Sequence, residues 1–470
     1  MRPGLTDRAL KRRNFVLNVL EGGTYISSNG FAAVQTVLPA IVLRLGGSNL
    51  EVGAVNVIGF SFLFLPQAFS ARYAESSPWK KPGTLMFGFA QRCVMLAMGI
   101  VLFSFGGRSP SVALIALLAL YALNQTFAGL TTPFWFDFIA KVTPTHWRGR
   151  LIGFRTSSGG AGSFVAGIML TGILVSIPFP GSYALALVLA SLLQLLSLGI
   201  QSRVVEATPS EVTPRATVSS YLKTLSEIVR HSRQFTLFIA SMGFLILGSM
   251  AVPFFSAYAV RELHAEERMI GEYTTVMVVV QIGSALLMGI IADRFGNKRA
   301  LVVAGLGLAC ATLVALFASS PAAFFLVYLF LGINIGSEVM SRYNMTIDFG
   351  PERQRSTFVG LVNTILAPIY GVGIVGGVLC DLFGFHTVFM LSLVCTMIGV
   401  ATLARNLQRW DTGSWTYYNL ASPPLLASGL YAGIHVAQLQ EMWRLTGNPI
   451  FQTYAERWAS YFAPPASSTP

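Results

Sequence analysis

The sequence is poor in charge: Asp, Glu, Lys and Arg make up 11% of its 470 residues, less than half of the roughly 25% carried by a soluble domain. If it were soluble, so long a chain with so few charges would set large apolar areas against water. That excludes an ordinary cytosolic enzyme, and the scarcity of polar residues excludes intrinsic disorder. Acidic residues are the scarcer sign, 20 against 32 basic ones, for a formal net charge of +12. Such a surplus serves nucleic-acid binding when it gathers on the face of a soluble domain. Here the basic residues fall between apolar runs, so no nucleic-acid partner is expected. Cysteine is rare: Cys93, Cys310, Cys380 and Cys395 lie in apolar stretches without disulfide or metal spacing and read as small buried hydrophobes. The 5 histidines show no ligand spacing, and no phosphate-binding glycine loop or serine-nucleophile motif is present. No metal, cofactor, ATP drive or catalytic residue is therefore expected, and the chain reads as a non-enzyme.

Hydrophobic residues are abundant, at 53% of the chain with a mean hydropathy of +0.62. The 45 glycines suit helices that pack closely in lipid. A bilayer core needs about 20 apolar residues per helix. Runs of that length lie near 14–43, 50–70, 83–106, 111–140, 151–178 and 182–203. Six more lie near 234–260, 270–292, 299–318, 322–347, 357–381 and 385–404. The expectation is an all-α membrane protein of twelve transmembrane helices. Pro39, Pro66, Pro133, Pro253 and Pro368 interrupt the runs, as membrane helices tolerate where neighbours satisfy the freed backbone. The first run is too long for a cleavable signal and contains Glu21.

Basic residues fix an expected topology. Arg2, Arg8, Lys11, Arg12, Arg13, Arg72, Lys80, Lys81, Lys141, Arg148, Arg150, Arg203, Arg215, Lys223, Arg230, Arg233, Arg294, Lys298, Arg299, Arg353 and Arg355 fall on one side, while the other holds Arg44, Arg108, Arg261 and Arg268. By the positive-inside rule both termini are cytoplasmic, with the chain in a cell membrane, inner or plasma.

The two groups of spans repeat each other. Asp137, Pro144, Arg148 and Gly153 each recur at one constant interval as Asn344, Pro351, Arg355 and Gly360. Ala74–Glu75 with Lys80–Lys81 corresponds to Ala292–Asp293 with Lys298–Arg299. The organisation expected is a six-helix unit at 1–203, a cytoplasmic linker at 204–233, a second six-helix unit at 234–405 and a tail at 406–470. Parallel six-helix repeats are a transporter architecture with the solute held between them.

The run Gly289-Ile-Ile-Ala292-Asp293-Arg294-Phe-Gly296-Asn-Lys298-Arg299 closely resembles the loop signature of the major facilitator superfamily. The first copy, around Glu75, Lys80 and Lys81, keeps the acid and the basic pair but lacks the glycine and arginine. The resemblance covers 14–405 and implies alternating access, with spans one, four, seven and ten lining a central cavity. Family substrates range from sugars to drugs to lipids. Physically, Asp293 at a helix end can accept hydrogen bonds from a neighbouring helix start. Arg294, Lys298 and Arg299 can hold the anionic leaflet or a facing carboxylate. Together they would latch one access state, with Asp137, Arg148, Arg150 and Arg355 as further gating residues; the alternative is that these charges serve only topology.

An ionisable group inside the membrane costs roughly 2.5–3.5 kcal/mol on insertion scales and needs a reason. Glu21, Tyr25 and Asn29 share one helical face, as do Asn334, Glu338 and Arg342. Asn124, Gln125, Gln281 and Asn363 complete a candidate substrate or coupling set. Glu338 and Arg342 have the spacing of an intrahelical ion pair, which also offers a purely structural reading. Arg92 reads as structural or as the partner of an acid. Asp137 and Arg155 lie near the cytoplasmic rim, where a contact with Arg148 or Arg150 is expected. Glu21 has no basic residue one turn away, which suggests an unpaired, partly protonated carboxyl of the kind a proton-coupled carrier needs.

The tail regains polarity. Leu430 to Arg444 reads as a helix ended by Gly447, and Asn448 with Pro449 opens a second one to about Tyr461, an expected αα-hairpin. Asp411-Thr-Gly413-Ser-Trp415-Thr-Tyr417-Tyr418-Asn419, His435-Val-Ala-Gln438-Leu439, Leu445-Thr446-Gly447-Asn448-Pro449 and Ala455-Glu456-Arg457-Trp458 are similar to the C-terminal region of glucuronyl epimerases. The rest of that catalytic domain is missing, so no epimerase activity is expected. Together these features suggest a monomeric secondary transporter of a small polar solute, such as a sugar or uronate, whose partners are that solute and the bilayer. Efflux of amphiphilic drugs and a non-transporting scaffold are the competing readings.

Overall fold

The computed structural model describes residues 7–144, 147–210, 233–295, 297–348, 362–363 and 365–405, with positions 440, 441, 443, 444, 449, 452 and 456. Among these residues the regular structure is helical: α1 (Asp7–Ser27), α2 (Val37–Arg44), α3 (Asn49–Glu75), α4 (Lys81–Phe105), α5 (Pro110–Val142), α6 (Arg148–Ser176) and α7 (Gly181–Gln201) come first. Then follow α8 (Arg233–Gly248), α9 (Val252–Arg261), α10 (Glu267–Phe295), α11 (Asn297–Phe317), α12 (Phe324–Asp348), α13 (Val372–Phe383) and α14 (Phe385–Arg405). The expected tail hairpin and most of the linker lie outside the described residues.

Ten helices among the described residues are long and apolar enough to cross a membrane, and Ala367–Phe383 is a shorter apolar helix. Their outer faces carry large apolar side chains such as Phe103, Ile115, Phe317 and Leu382, as helices do when lipid is their solvent. The first expected span differs from a continuous helix. It breaks after α1 into a 3-10 turn at Ser28–Gly30 and resumes as α2. At the break the Ser27 hydroxyl donates to the Gly23 carbonyl (2.7 Å) and that of Ser28 to the Tyr25 carbonyl (2.7 Å), bonds of a kind that bend helices. Span seven kinks similarly at Ser249–Ala251, and Pro253 falls where α9 restarts, where its missing N–H costs least.

Packing pairs recur between the two groups. α1 lies on α6 and α7, α3 on α5, and α4 on α5 and α7; correspondingly α8 lies on α14, α10 on α12, and α11 on α12 and α14. Two seams join the groups, α6 against α10 and α3 against α13, with α2 crossing to α9 and α10. At the second seam the backbones touch. A Cβ on Gly373 would stand 2.6 Å from the Gly53 carbonyl oxygen, so neither position has room for a side chain.

One apolar core, running through Phe31–Leu45, Met250–Ala259 and Phe385–Phe389, fills the end of the molecule that carries Arg44 and Arg261. The opposite end, carrying Lys80 and Lys141, has a separate cluster around Phe138 and Val204 drawn from the first group of helices alone.

Candidate functional site

Two buried polar systems occupy the first group of helices. In one, Glu21 on α1 pairs with Arg155 on α6, and both are nearly inaccessible, at 3% and 8% of their side-chain surface. The guanidinium also donates to the Asn18 carbonyl (2.7 Å) and lies over the Trp135 ring, 4.9 Å from its centroid, while the Ser197 hydroxyl donates to Glu21 (3.2 Å). This corrects the expectation of an unpaired Glu21. Its cation comes from another helix, which spacing within α1 could not reveal. It equally corrects Arg155, which turns inward rather than joining a rim contact.

The second system centres on Arg92, near the middle of α4. The guanidinium lies over Tyr25, 5.2 Å from the ring centroid, and donates to Gln91 Oε1 (3.0 Å) and to the carbonyls of Gly88 (2.9 Å) and Gln194 (3.2 Å). Gln91 in turn donates to the Tyr25 hydroxyl (3.2 Å) and accepts at its carbonyl from the Asn124 amide (2.9 Å). Asn124 is thereby a staple between α5 and α4. Asn334 plays the same part in the second group, donating from α12 to the Ala304 carbonyl on α11 (2.8 Å). Both amides were expected to face solute; the buried Asn124 is spent on an interhelical carbonyl, since a buried amide in lipid must find a partner, while Asn334 bonds its carbonyl and stays half-buried.

In the second group the spacing reading holds. Glu338 and Arg342 form an i,i+4 ion pair at 3.6 Å, with Glu338 31% exposed along its side chain. Arg342 also donates to the Tyr370 hydroxyl (3.1 Å) and lies 5.8 Å over Phe64 of α3. Tyr370 stacks on Phe60 with ring centroids 4.4 Å apart, so this pair sits at the seam between the groups. Asn363 donates to Gln67 across the same seam (3.2 Å). Asn29 is exposed in the 3-10 turn, and Gln125 and Gln281 are half-buried.

Asp137 meets Lys80 (3.9 Å), whereas Arg148 donates to the Ala140 carbonyl (2.6 Å) and Arg150 is exposed. The expected Asp137 contact with those arginines is therefore replaced by one with the loop before α4. Lys80 is buried and donates to the carbonyls of Ala74 and Ser77 (2.7 Å). Burial pushes its pKa below the usual lysine value, against the opposing pull of Asp137. Glu206, just past α7, accepts from the Lys80 and Lys81 N–H groups (3.0 Å each) and pairs with Lys141 (2.7 Å). A carboxylate thus caps the start of α4 from a segment that sequence had assigned to a linker. Glu75 ends α3 and Gly289 is exposed on α10; Asp293 and Arg294 lie in the last turn of α10, and Lys298 is buried in the first turn of α11 with Arg299 exposed beside it. The side chains of Asp293 and Arg294, and both Gly296 and Arg355, fall outside the described residues.

Sequence reasoning missed a polar clamp at the far end. The Asn49 amide donates to Asp381 (2.8 Å), while its oxygen accepts from Arg261 (2.9 Å), which also reaches the Gly47 carbonyl (2.5 Å). Arg44 pairs with Glu267 alongside, and the Thr36 and Thr274 hydroxyls meet at 2.6 Å deeper in. Each of these contacts joins one group of helices to the other.

The sequence model of the Major Facilitator Superfamily matches residues 237–412, the half in which the loop signature is nearly complete, and that of the D-glucuronyl C5-epimerase C-terminus matches 395–460. A curated relative, sugar efflux transporter B of Salmonella typhimurium, is 25% identical over 183 residues. That match spans 38% of this chain and 46% of the relative, about half its length. Among solved structures, the nucleoside transporter NupG superposes with a TM-score of 0.63 at 12% identity, covering 85% of this chain and 100% of that one. A D-xylose–proton symporter gives 0.62 at 13% identity, covering 83% and 96%.

Proposed function

We propose that this chain, a multi-pass membrane protein with the major facilitator fold, is a secondary transporter that moves a small polar solute of the saccharide class by alternating access. Twelve spans would form two units, 1–203 and 234–405, joined by the linker 204–233, with both termini cytoplasmic. The tail 406–470 would carry no catalysis of its own. The observation that carries the reading is the placing of the ion pairs and charge-assisted bonds between the groups, which gather at one end, whereas neutral contacts such as Phe64 with Tyr370 and Asn363 with Gln67 also join the groups elsewhere. The clamp of Arg261, Asn49 and Asp381 and the Arg44–Glu267 pair hold the two groups together at one end. At the other end the described ion pairs, Lys80–Asp137 and Lys141–Glu206, stay within the first group. A bundle sealed at one end by contacts that can break is what alternating access requires.

The saccharide class is supported by the sugar efflux relative, by the epimerase-like segment at 395–460, and by the half-exposed Glu338 beside Arg342, which suit hydroxyl and carboxylate groups. The test is uptake into proteoliposomes of hexoses, hexuronates and a cationic amphiphile. Saturable uptake of a sugar or uronate is expected. Movement of the amphiphile with none of the saccharides would replace this reading with drug efflux, and movement of nothing would favour a scaffold.

A further inference from the structure

Among the described residues, the charges buried between these helices are matched in pairs with one exception at mid-helix. Glu21 is neutralised by Arg155, Lys80 meets Asp137, and Arg342 is answered by Glu338. Lys298 is buried at a helix end. Arg92 lies at the centre of α4, 4% exposed; among the described residues no carboxylate is within ion-pair distance of it, and Glu21, already held by Arg155, acts on it only from farther off. Its hydrogen-bond partners are neutral oxygens and its face is covered by the Tyr25 ring. Arginine does not lose its proton in proteins, so the charge persists in a low-dielectric interior. A neutral side chain could fill the same space at lower cost. A charge retained there acts at a distance, on whatever enters beside Tyr25, which is only half-buried.

We infer that the transported solute is an anion, and that Arg92 selects it electrostatically from behind Tyr25. The inference rests on the transporter reading and narrows it from saccharides in general to sugar acids. Arg92 is a positioning residue here: Tyr25 meets the solute, and Arg92 holds that ring through its face and through Gln91. A solute on the side of the ring away from Arg92 would carry its charge about 9 Å from the guanidinium, the 5.2 Å to the ring centroid plus a stacking distance. At an effective dielectric of about 20, that separation corresponds to about a 20-fold preference for the anion over an uncharged twin.

The test compares uptake of glucuronate with uptake of glucuronamide, which has the same size without the charge, in proteoliposomes of the full chain. The wild type should favour glucuronate by about 20-fold, mainly in KM. Arg92→Gln should bring the ratio close to one, lowering glucuronate uptake far more than glucuronamide uptake, and Arg92→Lys should keep most of the preference. A structural role alone would lower both uptakes together and leave the ratio intact, which would overturn the inference. A wild type that favours glucuronamide would overturn it as well, even if Arg92→Gln failed to fold. Glucose or glucuronamide moved in preference to glucuronate leaves the transporter reading standing; uptake of none of the three removes that reading and this inference with it.

Discussion

Breaking the clamp at Arg261 should open the end of the molecule that it seals. Arg261→Gln removes the charge-assisted bonds to Asn49 (2.9 Å) and Gly47 (2.5 Å). Such bonds contribute about 1.5–3 kcal/mol each when shielded from water. Arg261 is exposed and only its partner Asn49 is buried, so solvent competes, and a net loss of about 1.5 kcal/mol is the appropriate figure. That is about a tenfold rise in the population of the open state. The chain contains its own reporter. Cys380 is 5% exposed and directly precedes Asp381, the third member of the clamp. With Cys93, Cys310 and Cys395 changed to serine, a membrane-impermeant maleimide applied from the Arg261 face should label Cys380 about ten times faster in Arg261→Gln than in the parent. Asp381→Asn should act in the same direction. Unchanged labelling in both variants would refute the clamp as the closing device.

Glu21→Gln strands the Arg155 guanidinium in a buried site and should cost about 3–5 kcal/mol; adding Arg155→Met should recover most of the lost thermal stability, and no recovery would mean that the pair is not the cause. Asp293→Asn, at the near-complete loop signature, should strongly reduce uptake while expression and size-exclusion profile stay unchanged; normal uptake would leave the loop with a topological role. Because burial holds Lys80 below the ordinary lysine value of 10.5, the folded chain binds that proton more weakly than the unfolded one. Stability should therefore climb with pH in the alkaline range below 10.5, and Lys80→Met should flatten that climb in thermal unfolding followed across the same range.

What was legible in the sequence was what depends on neighbours along the chain. Glu338 and Arg342 are four residues apart on one helix, and the ion pair follows from helical pitch. Apolar runs located the helices because lipid demands their length. Partners on other helices were not legible. Arg155 lies on α6, and only the packing of α6 on α1 brings it to Glu21. Asn124 and Asn334 satisfy themselves on carbonyls of adjacent helices, which no periodicity reports. Glu206 was hidden by its surroundings, since a carboxylate in a polar stretch between spans looks like solvent-facing linker until its contact with the start of α4 is seen.

The glycine contact between α3 and α13 has a mechanical consequence. Gly53 lies near one end of α3, and its backbone rests directly on Gly373. No compressible side chain cushions that point, so it can serve as a fulcrum rather than a sliding surface. From Gly53 to the last residue of α3, Glu75, the helix extends about 33 Å at 1.5 Å per residue. A tilt of about 10° around the glycines would carry the far end roughly 6 Å, the scale needed to admit a small solute, while the near end barely moves. A bulkier residue at either glycine would shift the fulcrum and so change the mechanical advantage of the whole helix, leaving every polar group in place.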